Sequence, residues 1–213
     1  MKSLGLGVLV ILCVLEPAPL SAAAAPRTFV ASSGMNTNPC SRTSPCRSFG
    51  AAISQTTAGG EVIVLDSAGY GPATIGTSVP LVAPPGVYAG ITATVGFGIQ
   101  VNAGASDVIA IRGLTINGAG GDTGIYFTSG AALYVQQTLV QNFSNVGITV
   151  GPLTNTVVRI EDATVVRSAS TGIWIASFLT AAVKATIVDS RIGDNHLAGN
   201  GTDGTFTGTL PLQ

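Results

Sequence analysis

The acidic residues and the single histidine are the side chains of this sequence whose chemistry best suits catalysis. Nine of the ten Asp and Glu residues follow position 24, and they are scattered along the chain. Glycoside hydrolysis needs two carboxyl groups placed across one sugar bond, one as acid and the other as base or nucleophile. Asp189, Asp194 and His196 are the best candidates, because a turn would bring Asp194 close to His196. The alternative, which we favour, is that they are ordinary polar residues of a solvated turn.

Glu161 and Asp162 are the nearest approach to a paired-acid motif. Adjacent side chains on a strand point to opposite faces, so these two carboxyls would not face one substrate. A nucleophilic triad is disfavoured because the chain has only one histidine. We therefore predict no catalytic residues beyond the three candidates above, and no metal or cofactor.

Two cysteines follow the N-terminal segment, Cys40 and Cys46, in the stretch Cys-Ser-Arg-Thr-Ser-Pro-Cys. Cysteines in an exported chain most often pair, so we predict a disulfide that closes a short loop. Zinc would need two more soft ligands, and His196 lies far away in sequence. Free thiols are the remaining alternative.

The N-terminal segment has the pattern of a secretory signal peptide. Lys2 precedes an apolar run at 4–15, and small residues follow at 21–25. The apolar run is shorter than the roughly 20 residues that span a membrane. We therefore predict a signal peptide over residues 1–24, a secreted, periplasmic or extracellular location, and no membrane span after its removal. A membrane anchor is the alternative.

Charged residues are unusually sparse. They make up 9% of the chain, and nine Lys and Arg face ten Asp and Glu, whereas an average globular chain is about 25% charged. This composition excludes a charged disordered protein and disfavours coiled coils. A nucleic acid partner is also disfavoured, because no basic run is present to neutralise phosphates. The polar surface must come from Thr, Ser, Asn, Gln and Gly, which is typical of β proteins.

Short apolar motifs recur along the chain at a nearly constant interval. A Gly-Ile pair begins at positions 98, 124, 147 and 172, so successive pairs lie about 25 residues apart. Apolar residues alternate within each motif, as in half-buried strands, and two further β-rich motifs recur in each interval. Three short strands per repeat predict an all-β fold, a right-handed parallel β-helix of about six coils.

The segment before the repeats has the features of a cap. Apolar residues at helical spacing over 49–56 predict a short helix with Ser48 as its N-cap, ended by Gly59 and Gly60. A strand at 28–31 joins this cap. We divide the chain into a signal peptide at 1–24, an N-terminal cap at 25–60, a parallel β-helix at 61–196 and an irregular C-terminal tail or incomplete cap at 197–213.

Two rows of outward side chains contain the candidate binding residues. On one row Tyr126 and Trp174 lie two coils apart, about 10 Å by strand spacing, which is similar to two sugar units. On an adjacent row Tyr134, Arg159 and Lys184 point outward, and the two stacked cations would repel unless an acid or an anionic ligand offsets them. The rows predict a saccharide groove, for which an acidic sugar is one option. The alternative of ordinary exposed strand residues carries more weight.

Six short segments carry a resemblance to a known family, at 27–32, 38–40, 45–49, 59–62, 69–71 and 108–118. They include Arg-Thr-Phe-Val-Ala-Ser, Pro-Cys-Arg-Ser-Phe and Ile-Arg-Gly-Leu-Thr-Ile-Asn-Gly. These segments resemble exported bacterial right-handed parallel β-helix repeat proteins of the pectin-lyase-like superfamily. The resemblance implies the same fold over nearly the whole mature chain.

The resemblance is less informative about activity, although polysaccharide lyases and hydrolases belong to that superfamily. The hydrolase motifs Asn-Thr-Asp, Asp-Asp, Gly-His-Gly and Arg-Ile-Lys are absent. Lyases of this fold need an acidic calcium cluster, so calcium would enter only if the protein were such a lyase. We favour a non-catalytic carbohydrate-interacting or cell-surface module, a monomer whose partner is a polysaccharide. The alternatives are a lyase or hydrolase of the pectate-lyase type, and a structural or adhesin-like spacer.

Overall fold

The structure of the protein, a computed structural model, describes residues 24–176, 181–193 and 197–200, the last four by their backbone alone. All but the final residue of the predicted signal peptide falls outside the described residues. The catalytic candidates Asp194 and His196 fall outside them as well. In the part of the chain that is described, no helix has the length and apolar character to cross a membrane.

Strands dominate the described residues, which contain nineteen strands and one α-helix. The helix α1 spans Phe49–Ser54. The strands are β1 Ala25–Val30, β2 Thr56–Val64, β3 Ala68–Gly69, β4 Ala73–Ile75, β5 Leu81–Val82, β6 Ala89–Ala93, β7 Phe97–Asn102, β8 Val108–Arg112, β9 Leu114–Gly118, β10 Thr123–Ser129, β11 Ala132–Gln136, β12 Leu139–Gln141, β13 Val146–Val150, β14 Thr156–Glu161, β15 Thr164–Val166, β16 Thr171–Ala176, β17 Val183–Val188, β18 Arg191–Gly193 and β19 Leu197–Asn200.

The strands form three parallel sheets that the chain visits in a fixed order. The first sheet contains β1, β2, β5, β8, β11, β14 and β17; the second contains β3, β6, β9, β12, β15 and β18; the third contains β4, β7, β10, β13, β16 and β19. The chain thus passes from first to second to third sheet repeatedly and completes about five full turns between β2 and β17. The predicted parallel β-helix is confirmed, with about five turns in place of about six.

Inward side chains stack in columns that form the core. Ile99, Ile125, Ile148 and Ile173 occupy matching positions in consecutive strands of the third sheet, and all four are fully buried. Burying an isoleucine side chain contributes about 2 kcal/mol through the hydrophobic effect. The recurrence in the sequence therefore reflects one repeated core position, as predicted.

The glycine that opens each Gly-Ile motif is required by close packing between coils. A Cβ on Gly124 would lie 2.4 Å from the carbonyl oxygen of Gly147 and 2.4 Å from a methyl carbon of Val140. A Cβ on Gly98 would lie 2.7 Å from the carbonyl oxygen of Gly124, and a Cβ on Gly147 would lie 2.5 Å from the carbonyl oxygen of Gly172. Real Cβ atoms do not approach backbone that closely, so any side chain here would force successive coils apart.

Turn residues also stack in columns, and several adopt the left-handed backbone conformation. Gly113, Gln137, Asp162 and Asp189 each follow the last residue of a first-sheet strand in successive coils, and all have positive φ angles. Asn and Asp reach this conformation more easily than other residues that carry a side chain. The position of Asp189 therefore has a structural explanation in its turn.

The N-terminal cap contains the predicted helix and strand with different boundaries. The Ser48 hydroxyl accepts a hydrogen bond from the backbone N–H of Ala51, so the predicted N-cap is confirmed. The prediction that Gly59 and Gly60 end the helix is wrong, because α1 ends at Ser54 and both glycines lie within β2. Gly59, at φ 79°, lies where the pairing of β1 with β2 shifts register, and a positive φ is what glycine allows there.

The cysteine loop covers the outer edge of β1, the edge strand of the first sheet. The backbone N–H of Phe29 donates to the carbonyl of Cys40, and the carbonyl of Phe29 accepts from the N–H of Cys46. The N–H of Ala31 donates in turn to the carbonyl of Cys46. The two cysteines lie within disulfide-bonding distance, with Cα atoms 4.6 Å apart, and both are fully buried. This geometry supports the predicted pairing and satisfies a strand edge that would otherwise be exposed.

Candidate functional site

The outer face of the third sheet carries the first predicted row. Gln100, Tyr126, Thr149 and Trp174 pair in register in β7, β10, β13 and β16. Tyr126 and Trp174 are half-buried, and Thr149 between them is 4% exposed. Two strand spacings separate the aromatic residues, about 10 Å. We name this row, Gln100 to Trp174, the aromatic row.

Phe97 belongs to the same surface as Tyr126. Its ring stacks on that of Tyr126, with centroids 4.5 Å apart and planes 13° from parallel. Offset-stacked aromatic pairs stabilise one another by about 0.5–1.5 kcal/mol beyond their area burial. Phe97 therefore orients Tyr126 and covers one face of its ring. The repeat pattern gives no signal for this contact, because Phe97 lies outside the column that contains Tyr126.

The second predicted row lies on the first sheet, and its register differs from the prediction. Tyr134 of β11 pairs with Arg159 of β14, as expected. Arg159 pairs next with Thr186, whereas Lys184 pairs with Val157. The predicted stacking of Lys184 on Arg159 is therefore wrong.

The register of β17 follows its inward side chains. Ala185 and Ile187 continue the columns of Val158 and Ile160, so the step from β14 to β17 is two positions longer than the step from β11 to β14. The two additional residues fall between the end of β16 at Ala176 and the start of β17 at Val183. Because a shift by two positions keeps the same side chains inward, alternation alone did not reveal it.

The two rows do not lie on neighbouring strands. Tyr126 and Trp174 belong to the third sheet, whereas Tyr134, Arg159 and Lys184 belong to the first sheet. A single groove with both rows side by side on one sheet is therefore not formed. The aromatic row and the first-sheet residues are separate candidate surfaces.

A chain of hydrogen bonds links the polar residues of the first sheet. The Nε and Nη2 atoms of Arg112 donate to Oε1 of Gln136 at 3.1 and 2.6 Å, and Nε2 of Gln136 donates to Oε2 of Glu161 at 3.0 Å. Arg159 forms a bidentate ion pair with Glu161, at 3.2 and 3.0 Å. The guanidinium of Arg159, followed by the Gln136 amide, holds the pKa of Glu161 below its ordinary value. Glu161 is therefore a poor general acid and a stable anion. We name these four residues the polar ladder.

Of the three catalytic candidates only Asp189 lies within the described residues, so the approach of Asp194 to His196 stays a prediction. Asp189 is exposed in its turn, one coil from Asp162, whose N–H donates to the carbonyl of Val188. In the described ranges no group of three or more His, Cys, Asp or Glu side chains is placed to hold a metal ion. A calcium cluster of the lyase kind is therefore not formed within those ranges.

The second sheet carries an asparagine ladder. The amide of Asn142 donates to the side-chain oxygen of Asn117, and Nε of Arg167 donates to Oδ1 of Asn142 at 2.7 Å. Asn142 adopts φ 63°, in the left-handed region that Asn tolerates. These contacts indicate a structural role for the stacked asparagines.

Comparisons with family models, with curated proteins and with solved structures find no match for this chain.

Proposed function

We propose that the aromatic row is a non-catalytic carbohydrate-binding surface of an exported protein that acts outside the cell. The observation that carries this proposal is the placement of Tyr126 and Trp174 in one outward column, two strands apart. The rings are bulky and partly exposed, and they are held on a rigid sheet, which lowers the entropy lost on binding. The likeness of the cap and first coils to exported bacterial β-helix repeat proteins supports the cellular context.

The chemistry of the row matches a saccharide chain better than other ligands. An aromatic ring offers an apolar face to the C–H groups of a sugar ring, and Gln100, which is partly exposed in the same column, has an amide that donates and accepts hydrogen bonds. The separation of about 10 Å between Tyr126 and Trp174 is similar to two sugar units. The row carries no charged side chain, which favours a neutral glycan.

The test is a glycan array read both for binding and for product release. Replacing Trp174 or Tyr126 by Ala should lower affinity for the bound glycans about tenfold, a loss of about 1.4 kcal/mol. Tyr88→Ala is the matched control, because Tyr88 is an exposed aromatic residue (55%) that precedes β6 of another sheet. Unchanged binding in both test variants would overturn the proposal.

Product release from polygalacturonate with calcium would instead favour the lyase alternative. Absence of both binding and turnover would leave the spacer alternative. Because Glu161 keeps its proton poorly, any turnover that was found would need an acid other than Glu161.

A further inference from the structure

A shallow depression lies on the outer face of the first sheet, where β8, β11 and β14 end. It has a volume of about 300 Å³ and is broadly open to solvent. Its lining consists of Arg112, Gln136, Gln137, Glu161 and Asp162. The aromatic row belongs to the third sheet, so this depression is a separate surface.

One side of the depression is formed by the column of turn residues that contains Gly113, Gln137, Asp162 and Asp189. Gln137 and Asp162 occupy consecutive places in that column, at φ 50° each, and Gly113 occupies the place before them. A Cβ on Gly113 would lie 2.7 Å from the carbonyl oxygen of Ala83. Gly113 therefore has no room for a side chain, because the preceding coil lies against it, and the side chains of this column at the depression are those of Gln137 and Asp162.

The polar ladder fixes the other side of the depression before any ligand arrives. Gln136 is held at both ends of its amide, by Arg112 and by Glu161. Glu161 is held in turn by the bidentate contact with Arg159. Side chains that are already ordered lose little entropy when they bind a ligand.

Two lining groups keep their hydrogen-bonding capacity. The Gln137 amide and the Asp162 carboxylate are exposed, and neither side chain forms a hydrogen bond within the described part of the chain. An amide both donates and accepts, a carboxylate accepts, and a guanidinium donates. The depression therefore offers donors and acceptors side by side, as a hydroxyl group requires.

The side chains that line the depression carry one positive charge, on Arg112, and two negative charges, on Glu161 and Asp162. Arg159 lies outside the lining, where it pairs with Glu161. A uronic acid would bring a third carboxylate next to Glu161 and Asp162, and a cationic ligand would face the guanidinium of Arg112. A neutral ring with several hydroxyl groups meets neither form of repulsion.

We propose that this depression is a second carbohydrate site, which accepts one neutral monosaccharide unit and discriminates against uronic acids. The juxtaposition of Arg112 and Gln137 as donors with Asp162 and Glu161 as acceptors carries the proposal. The site does not depend on the aromatic row, because the two surfaces lie on different sheets.

The test follows the side-chain amide signals of Gln136 and Gln137 by NMR in isotope-labelled protein. The probes are glucose, galactose, mannose and xylose, each added alone, with glucuronate and galacturonate as the acidic counterparts. At least one neutral sugar should shift these signals, and its uronate should shift them less at equal concentration. Shifts from no neutral sugar, or equal shifts from the matching uronate, would overturn the proposal.

A charge variant provides a sharper test. Asp162→Asn removes one negative charge, and asparagine tolerates the left-handed turn conformation as aspartate does. We expect the affinity for the uronates to rise about fivefold, with little change for the neutral sugars. The control is Asp189→Asn, because Asp189 has the same turn conformation one coil away and does not line the depression. An equal response of the two variants contradicts the site.

The two proposals fail separately. In a Trp174→Ala background the Gln136 and Gln137 shifts should persist, whatever the variant does to glycan binding by the aromatic row. Loss of those shifts in Trp174→Ala would mean that the two surfaces are not independent, which is contrary to this inference.

Discussion

The carboxylate of Asp66 accepts a hydrogen bond from the hydroxyl of Tyr70, and both residues belong to the first coil. The same carboxylate accepts hydrogen bonds from the backbone N–H and hydroxyl of Ser32, at 2.8 and 2.6 Å, just after β1. The Tyr70 ring packs against Phe49 of α1, with centroids 5.5 Å apart. Asp66 therefore links the first coil to the cap, directly at Ser32 and through Tyr70 at α1.

The stability of the cap should decrease in acid because of Asp66. Burial alone would raise its pKa, but the hydrogen bonds from Ser32 and Tyr70 outweigh burial and place the pKa of Asp66 below its ordinary value of 3.8. A carboxyl with a lowered folded pKa stabilises the protein above the unfolded pKa, and this stabilisation disappears as pH falls through the folded pKa. Urea unfolding between about pH 5 and pH 2 should show the loss.

Asp66→Asn should make this loss smaller and should lower the free energy of unfolding at neutral pH by about 1 kcal/mol. The comparison variant is Asp107→Asn, because hydrogen bonds from Ser78 also lower the pKa of Asp107. Each variant should remove its own part of the acid sensitivity and leave the other part. An acid profile of Asp66→Asn identical to that of the unmodified protein would exclude this role.

The glycine column should be intolerant of a methyl group. Gly124→Ala would place a Cβ 2.4 Å from backbone oxygen, so we expect a loss of about 2–4 kcal/mol in the free energy of unfolding. Gly50→Ala is the matched control, because Gly50 lies in α1 and a Cβ there has no atom within 4 Å. That variant should gain about 0.5–1 kcal/mol from helix propensity. Similar melting temperatures for the two variants would show that the coils can separate without cost.

The pairing of Cys40 with Cys46 is tested by mass and by thermal unfolding. The intact protein should be lighter than its reduced form by two hydrogens. Reduction should lower stability by about 2 kcal/mol, since the closed loop is short. A double Cys40→Ala, Cys46→Ala variant should match the reduced protein. A chain that contains two free thiols as purified contradicts the predicted pairing.

Asn142 allows the turn conformation and the ladder to be tested separately. Asn142→Ala loses both and should cost about 1–2 kcal/mol, since left-handed backbone disfavours alanine. Asn142→Gly keeps the conformation and loses only the contacts to Asn117 and Arg167, for which we expect about 0.5 kcal/mol. Chemical denaturation of both variants measures the difference. An equal cost would mean that the left-handed conformation of this residue contributes nothing.

The polar and aromatic surfaces were predictable only in part. The outward direction of Tyr126, Trp174, Tyr134 and Arg159 follows from alternation about the inward columns, and the structure agrees. Contacts between coils outside these columns, such as Phe97 on Tyr126, depend on side-chain rotamers and leave no periodic signal. The depression beside Gln137 was missed for a related reason, because a left-handed glutamine has no signature in composition or spacing.

The register of individual coils was the other limit. On the first sheet the matched inward residues follow one another at uneven steps: Val62, Leu81, Ile111, Val135, Ile160 and Ile187. The shortest step runs from Val62 to Leu81, and the longest runs from Leu81 to Ile111. A constant interval therefore describes only the middle of the array. Connections between sheets can lengthen without changing the core, since they lie on the surface.

The sequence by itself determined the stacked parallel coil, since only repeated pairing of like strands buries every Ile and Val column and needs a glycine at each tight contact between coils. The tertiary structure alone decided which sheet each candidate residue occupies and which residues are opposite in the last coil. The physical reason is that alternation fixes the inward or outward direction of a side chain, whereas its neighbours across coils depend on connection lengths that no core position constrains.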